Sequence, residues 1–238
     1  MSSTNRGGDR HASDYYITPK SEIKKFLSAF LTEYEIYRPD KMTWFDPCAG
    51  GGVQKTHSKR SGHMISHDNP MAYPSVIEDE FGAEVFTMDI REDSAAETKG
   101  SYITLNDRFI KSSGKQVEWA TERTPCPVQD PDIIITNPPF SHAVPIIEQA
   151  LRDVDDQGFV IMLLRLNFFG SQDREIFFQT TMPEAIFVHP TRMSFTPDNQ
   201  TDSVEYAHFV WRKNRNPRSA SLFHLSRIEN TMTMMPGL

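Results

Sequence analysis

Residues Asp132–Phe140 read Asp-Ile-Ile-Ile-Thr-Asn-Pro-Pro-Phe and set an amide and an aromatic ring at the end of an apolar run. The Asn137 side chain offers one carbonyl acceptor and two N–H donors. Phe140 offers a flat apolar face on which another ring can stack. Pro138 and Pro139 lack N–H groups and restrict the residues before them, so the backbone after Thr136 is stiff and extended or turning. A polar amide and an aromatic ring are thereby fixed where one ligand can meet both.

A second stretch, Asp46-Pro47-Cys48-Ala49-Gly50-Gly51-Gly52, is small and Gly-rich, which lets a ligand approach the backbone closely. It has neither the G-x-x-x-x-G-K-[ST] spacing of a phosphate-binding P-loop nor the G-x-G-x-x-G of dinucleotide binders. Such a turn serves either a ligand or its own geometry. Two acids follow it, Asp68 in Ser66-His67-Asp68-Asn69-Pro70 and Asp89 at the end of Glu84-Val85-Phe86-Thr87-Met88-Asp89. An acid closing the strand one βα unit after a Gly-rich turn is placed to hydrogen-bond ribose hydroxyls; an acid there is also a common helix cap.

The elements that must position these residues alternate. Ile133, Ile134 and Ile135 are β-branched and apolar, as in a strand buried on both faces. Thr43-Trp44-Phe45 reads as the first strand, Glu84–Asp89 as the second and Ser101–Thr104 as a short third. Gly158–Leu164 and Ala185–Val188 are further buried strands, and the alternating Glu205–Trp211 ends the sheet as an antiparallel element. Helices are predicted from Lys20 or Glu22 to Tyr34, with Thr18 as N-cap and Pro19 at the first position, over Tyr73–Phe81 with Gly82 as C-cap, and over Ser94–Lys99, Val144–Asp153 and Asp173–Gln179. This order predicts a single Rossmann-like α/β domain over residues 14–212, a mostly parallel sheet with helices on both faces. Ligands bind such sheets at the carboxyl ends of the strands. Residues 1–13 read as a mobile N-terminal segment, 53–70 as an inserted loop, 105–130 as a polar insertion without periodicity, and 213–238 as a weakly ordered tail.

At 238 residues with a net charge of −7, the chain does not have the broadly basic footprint of a protein that coats nucleic acid. Local basic clusters remain, at Arg6, Arg10 and His11, at Lys55, His57, Lys59 and Arg60, and at Arg108, Lys111, Lys115 and Arg123. Two cysteines, Cys48 and Cys126, are too few for a disulfide framework and favour a cytoplasmic protein. No apolar stretch approaches the ~20 residues of a membrane span, so no membrane is expected as a partner; no metal is expected either.

The pairing of Asp46-Pro47-Cys48-Ala49-Gly50-Gly51 with Asn137-Pro138-Pro139-Phe140 resembles the S-adenosylmethionine-dependent N6-adenine DNA methyltransferases, in particular the small phage-type enzymes. Arg6-Gly7-Gly8 with Asp14-Tyr15-Tyr16-Ile17-Thr18-Pro19 is similar to that family's N-terminal cofactor motif. Leu163–Phe168, Arg192-Met193-Ser194-Phe195 and Tyr206–Trp211 look like its later motifs, so the resemblance spans roughly residues 6 to 213. It implies a class I methyltransferase domain in a bacterial or phage-infected cell, acting on adenine in DNA. The implied cofactor site is Thr18, Pro19, Asp46, Cys48, Ala49, Gly50 and Gly51, with Asp89 on the ribose, Asp68 as the alternative acid, and Tyr102 bordering the adenine. Ser101 stands where the family commonly has an adenine-contacting Asp.

Asn137 and Pro138 are then the catalytic acceptors for the adenine NH₂, held by Pro139. Phe140 stacks on a base that is flipped out or already single-stranded, and Phe195 is the candidate for its opposite face. Lys55, Lys59 and Arg60 are the candidate DNA contacts. An Asn-Pro-Pro-aromatic corner also occurs in protein-glutamine and some RNA methyltransferases, and a catalytically silent nucleic-acid-binding protein of this fold is a third alternative. The absence of a visible recognition domain favours short or relaxed target specificity.

Overall fold

The computed structural model describes residues 17–57, 64–104, 122–195 and 204–225. Expectations for residues 1–16, Lys59, Arg60, Arg108, Lys111 and Lys115 lie outside the described residues.

Helix α1 (Lys20–Glu33) buries Ile23, Phe26, Leu27, Phe30 and Leu31, the stripe that its 3.6-residue spacing predicts. Its N-cap is Pro19 and it has no side-chain cap, so the expected Thr18 cap is displaced by one residue; the Thr18 hydroxyl is used elsewhere. Strand β1 (Trp44–Asp46) leads into the Gly-rich turn. Residues 53–70 are not a loop: β2 (Gly52–His57) and β3 (Met64–Asn69) pair antiparallel, from Gly52 opposite Asn69 to His57 opposite Met64. Helix α2 (Ala72–Phe81) follows and ends at Gly82 in the left-handed conformation, φ 63°.

Strand β4 (Val85–Asp89) pairs parallel with β1. The segment 94–99 is not helical and Ser101–Thr104 is not a strand; the third strand is instead β5 (Thr98–Lys99), beside Met88 and Asp89. The Glu97 N–H is taken by the Thr87 hydroxyl at 2.9 Å, which draws the segment along β4 before a helical turn can close.

The triple-Ile strand β6 (Ile133–Thr136) lies on the other side of β1, with Trp44 opposite both Val85 and Ile133. Helix α3 (Ala143–Asp153), strand β7 (Phe159–Arg165), short helix α4 (Glu175–Thr180), β8 (Ala185–Val188) and β9 (Tyr206–Arg212) complete the expected order. Strand β9 does not end the sheet. It lies between β7 and β8, antiparallel to both, so its alternating residues are buried on either face. Part of the tail is ordered: β10 (Ser221–His224) pairs parallel with β8. The result is an eight-stranded, mostly parallel sheet in the order β10-β8-β9-β7-β6-β1-β4-β5.

Successive strand residues point to opposite faces. Trp44, Ile133, Ile135 and Ile161 pack with α1 and α2, whereas Phe45, Ile134, Val160 and Met162 pack with α3. That two-sided burial is why the strands are apolar throughout. The chain leaves β1 towards β4 on one side and returns to β6 on the other, which opens a crevice at the carboxyl ends of these three strands.

Candidate active site

The crevice holds a cleft walled by the residues that follow β1, β4 and β6, by Ile17 and Thr18, and by the starts of α2 and α3. Of the residues singled out from sequence, Thr18, Asp46, Cys48, Ala49, Asp89, Tyr102, Asn137 and Pro139 line it. Pro19, Gly50, Gly51, Asp68, Pro138, Phe140 and Phe195 are not among its lining residues. Asp68 is exposed on the β2–β3 hairpin, a consequence of the strand pairing that counting along the chain does not reveal.

The Gly-rich turn is shaped by the protein itself. Gly50, Gly51 and Gly52 have φ of 68°, 70° and 93°, a region that disfavours residues with a Cβ. A Cβ on Gly52 would sit 2.1 Å from the Asp93 carbonyl oxygen, and one on Gly51 2.8 Å from Met71 Cγ. The Gly50 N–H donates to Asp89 Oδ2 at 2.8 Å, and the Arg91 N–H to Asp89 Oδ1 at 2.8 Å. Arg91 also donates to the Gly51 carbonyl at 3.0 Å. The turn and the acid after β4 thus form one hydrogen-bonded unit, with a carboxylate facing the cleft.

Asp46 is almost fully buried, 1% exposed, and its Oδ1 accepts the Cys48 N–H at 3.1 Å. Burial raises its pKa to about 7, against the opposing pull of the Thr136 hydroxyl and the Cys48 N–H and with a further push from Asp89. Burial likewise holds the Cys48 thiol well above its ordinary value, so it stays protonated and acts as an apolar wall. At the other end, Ile90, Tyr102, Ile103 and Ile146 make an apolar slot, with the Ser101 hydroxyl tied to the Ile103 carbonyl at 2.7 Å.

Asn137, directly after β6, donates from Nδ2 to the Thr18 hydroxyl at 3.1 Å. That bond ties the amide to the segment leading into α1. Phe140 is half-buried, with the Arg165 guanidinium 4.9 Å above its ring and Tyr206 at 5.9 Å. Phe195 packs on the same Tyr206 at 4.9 Å. A second groove runs past Phe195, Ser194, Arg192 and Asn69 and shares Ile17 with the first.

Sequence reasoning missed Ile90, Ile103, His142 and Ile146 as lining residues, and took Ile17 only as part of the N-terminal motif and Tyr73 only as the start of a helix. Apolar walls have no motif, and only the topology brings them together. Among the described residues no group of three or more His, Cys, Asp or Glu could hold a metal ion, and no helix is long and apolar enough to cross a membrane.

No protein-family model and no curated protein matches the chain. Solved structures do. A putative class I S-adenosylmethionine-dependent methyltransferase from Listeria monocytogenes superposes with a TM-score of 0.52 at 14% identity, covering 95% of this chain and 70% of that one. A putative RNA methyltransferase from Pyrococcus horikoshii gives 0.49 at 14% identity, over 87% and 91%. The M protein of the type I restriction enzyme EcoKI gives 0.46 at 10% identity, over 84% and 44%. The fold is therefore that of the Rossmann-like class I methyltransferases.

Proposed function

We propose that this chain transfers the methyl group of S-adenosylmethionine to the exocyclic N6 of adenine in DNA. The observation that carries this reading is convergence: Asn137, two carboxylates and an apolar slot face one cleft at the topological switch point.

The residues suit the cofactor. A buried carboxylate at Asp46, raised by desolvation, gains by accepting hydrogen bonds from a cationic ammonium group. Asp89 faces the cleft where ribose hydroxyls can donate to it; each of its oxygens accepts more than one hydrogen bond. The Ile90–Ile146 slot suits an adenine ring, and Ser101 with its neighbouring backbone takes the place of an acid at the ring's edge. Bound there, S-adenosylmethionine supplies a methyl group already activated by its sulfonium.

The chain's own task is to make a poor nucleophile reactive. The lone pair of the adenine NH₂ is conjugated into the ring. The Asn137 carbonyl, oriented by Thr18, and the Pro138 carbonyl accept its two hydrogens and favour the pyramidal, positively polarised nitrogen of the transition state. The nitrogen gains the methyl group and afterwards loses one proton to water, so no strong base is needed. The target base must leave its stack to reach this corner. The groove past Phe195 and Arg192 is the proposed path for it, with Phe140 and Phe195 as the aromatic contacts and Lys55, Lys59 and Arg60 as candidate backbone contacts. Transfer of labelled methyl from S-adenosylmethionine to unmodified DNA, followed by nucleoside analysis, tests the proposal; label in RNA or protein alone would replace it.

A further inference from the structure

Arg165 closes strand β7, beside the Asn137–Phe140 corner that follows β6. Strand alternation puts it on the face of Leu163, which packs with Met193, Tyr206, Phe140 and Phe195. Its backbone lies opposite Tyr206 of β9. The guanidinium rests over the Phe140 ring, 4.9 Å from the centroid, where cation–π attraction holds it. The side chain is half-buried, and its Nε is buried with no hydrogen-bond acceptor among the described residues. Glu205, the acid next to Tyr206, lies 3.5 Å from Arg192 instead.

Among the described residues three other arginines rest on aromatic rings, and each has an acceptor within the chain. Arg174, over Phe168, donates from Nε to the Phe168 carbonyl at 2.7 Å. Arg212, over Phe159, donates from Nε to the Gln157 carbonyl at 3.3 Å. Arg123, over Tyr102, pairs through Nη2 with Asp153. Those three serve the fold. Arg165 has the same aromatic seat without such a bond, although a half-buried cation costs desolvation that only an acceptor offsets. The cofactor does not bring that acceptor, because Arg165 is not among the residues that wall its cleft. The adenine ring is neutral. The remaining source is the phosphate of the nucleotide, an anion joined to the base, to which a guanidinium offers a planar fork of donors.

We propose that Arg165 binds a backbone phosphate beside the target adenine, while the Phe140 ring on which it rests takes the base. The two side chains match the two chemistries of one nucleotide, an anion and a flat ring. A glutamine side chain in a protein substrate carries neither, so the pair favours nucleic acid over protein. The contact holds the nucleotide in place and takes no part in methyl transfer itself. The proposal rests on the reading of Asn137–Phe140 as the pocket of a flipped base.

Fluorescence anisotropy with a labelled single-stranded oligothymidine carrying one central adenine, in the presence of S-adenosylhomocysteine, reads the contact without turnover. Arg165→Gln should bind it about tenfold more weakly. The slope of log affinity against log salt should become shallower by about 0.7, the share of one phosphate on a single strand. Arg165→Lys keeps the charge but not the fork, so it should keep the slope and recover part of the affinity. Affinity for S-adenosylhomocysteine, measured by calorimetry, should be equal in all three proteins and shows that the variants are folded. A neutral methylphosphonate placed at each phosphate in turn should weaken wild-type binding at a position beside the adenine, and should weaken Arg165→Gln no further there. A flat scan on the wild-type protein overturns the proposal without need of any variant, and so does Arg165→Gln with wild-type affinity and salt slope. If DNA is methylated while Arg165→Gln binds as wild type does, only the contact fails. If Arg165→Gln is weakened as expected while the wild-type chain methylates no DNA, the contact stands and the N6-adenine reading fails. A loss confined to the matching RNA overturns DNA as the partner of Arg165.

Discussion

Asp46 makes cofactor affinity dependent on pH in a direction that can be worked out. Desolvation is the largest cause of its rise from 3.8 to about 7, so near neutrality the empty site holds a carboxyl that is half protonated. Only the ionised form attracts a cationic ammonium. At about pH 5 a group titrating near 7 is ionised in about one molecule in a hundred. The dissociation constant for S-adenosylmethionine should therefore weaken about tenfold for each pH unit below 7, with one proton released on binding. Because the folded pKa is raised, the same group lowers the stability of the free protein as pH rises from 3.8 towards 7. Asp46→Asn should weaken binding near neutrality and flatten both profiles. Isothermal titration calorimetry in buffers of different ionisation enthalpy measures affinity and proton release together. Equal affinity across this range, with no proton released, would refute the role of Asp46.

Asn137→Ala should lower the methyl-transfer rate by about a hundredfold or more while cofactor binding persists; near-normal turnover would sink its assigned role. Gly52→Ala combines a φ of 93° with a Cβ 2.1 Å from the Asp93 carbonyl. It should cost about 3 kcal/mol in chemical denaturation, and a stability equal to wild type would contradict the turn geometry. Through its buried histidines and Glu22, acid works against the fold. Burial lowers the pKa of His189 and His208 below 6.5, so the native state refuses protons that the unfolded chain takes up below that pH. The His189 hydrogen bond lowers Glu22 from 4.5 to about 2, so its contribution is present above 4.5 and is lost as pH falls further. In Asp46→Asn, which removes the opposing contribution of Asp46, urea midpoints measured down the pH scale should fall from about 6.5 onward, and a flat profile there would contradict the burial of these histidines.

The fold was legible where one physical demand dominated. Three consecutive isoleucines suit only a strand covered on both sides, and the stripe from Ile23 to Leu31 suits only a helix face. Asn137 and Asp46 stood out because Pro and Gly fix the backbone beside them. Legibility failed where pairing partners are distant or local signals conflict. The hairpin at 52–69 is polar and looks like a loop until its two halves are set side by side. Without it, Asp68 stands as an alternative to Asp89; with it, only Asp89 of the two faces the cleft. Strand β10 is mostly exposed at the sheet edge, so its sequence carries little of the apolar signal that marks the inner strands. The Glu22–His189 pair is the least visible feature of all: its members are 167 residues apart, and each alone looks like an ordinary polar residue.

The most direct test of the proposed activity is transfer of labelled methyl from S-adenosylmethionine to unmodified DNA, followed by digestion to nucleosides and mass analysis. N6-methyladenine is the expected product, formed by the wild-type chain and not by Asn137→Ala. Cofactor binding with no label in DNA would contradict the proposal and direct the search to an RNA or protein substrate.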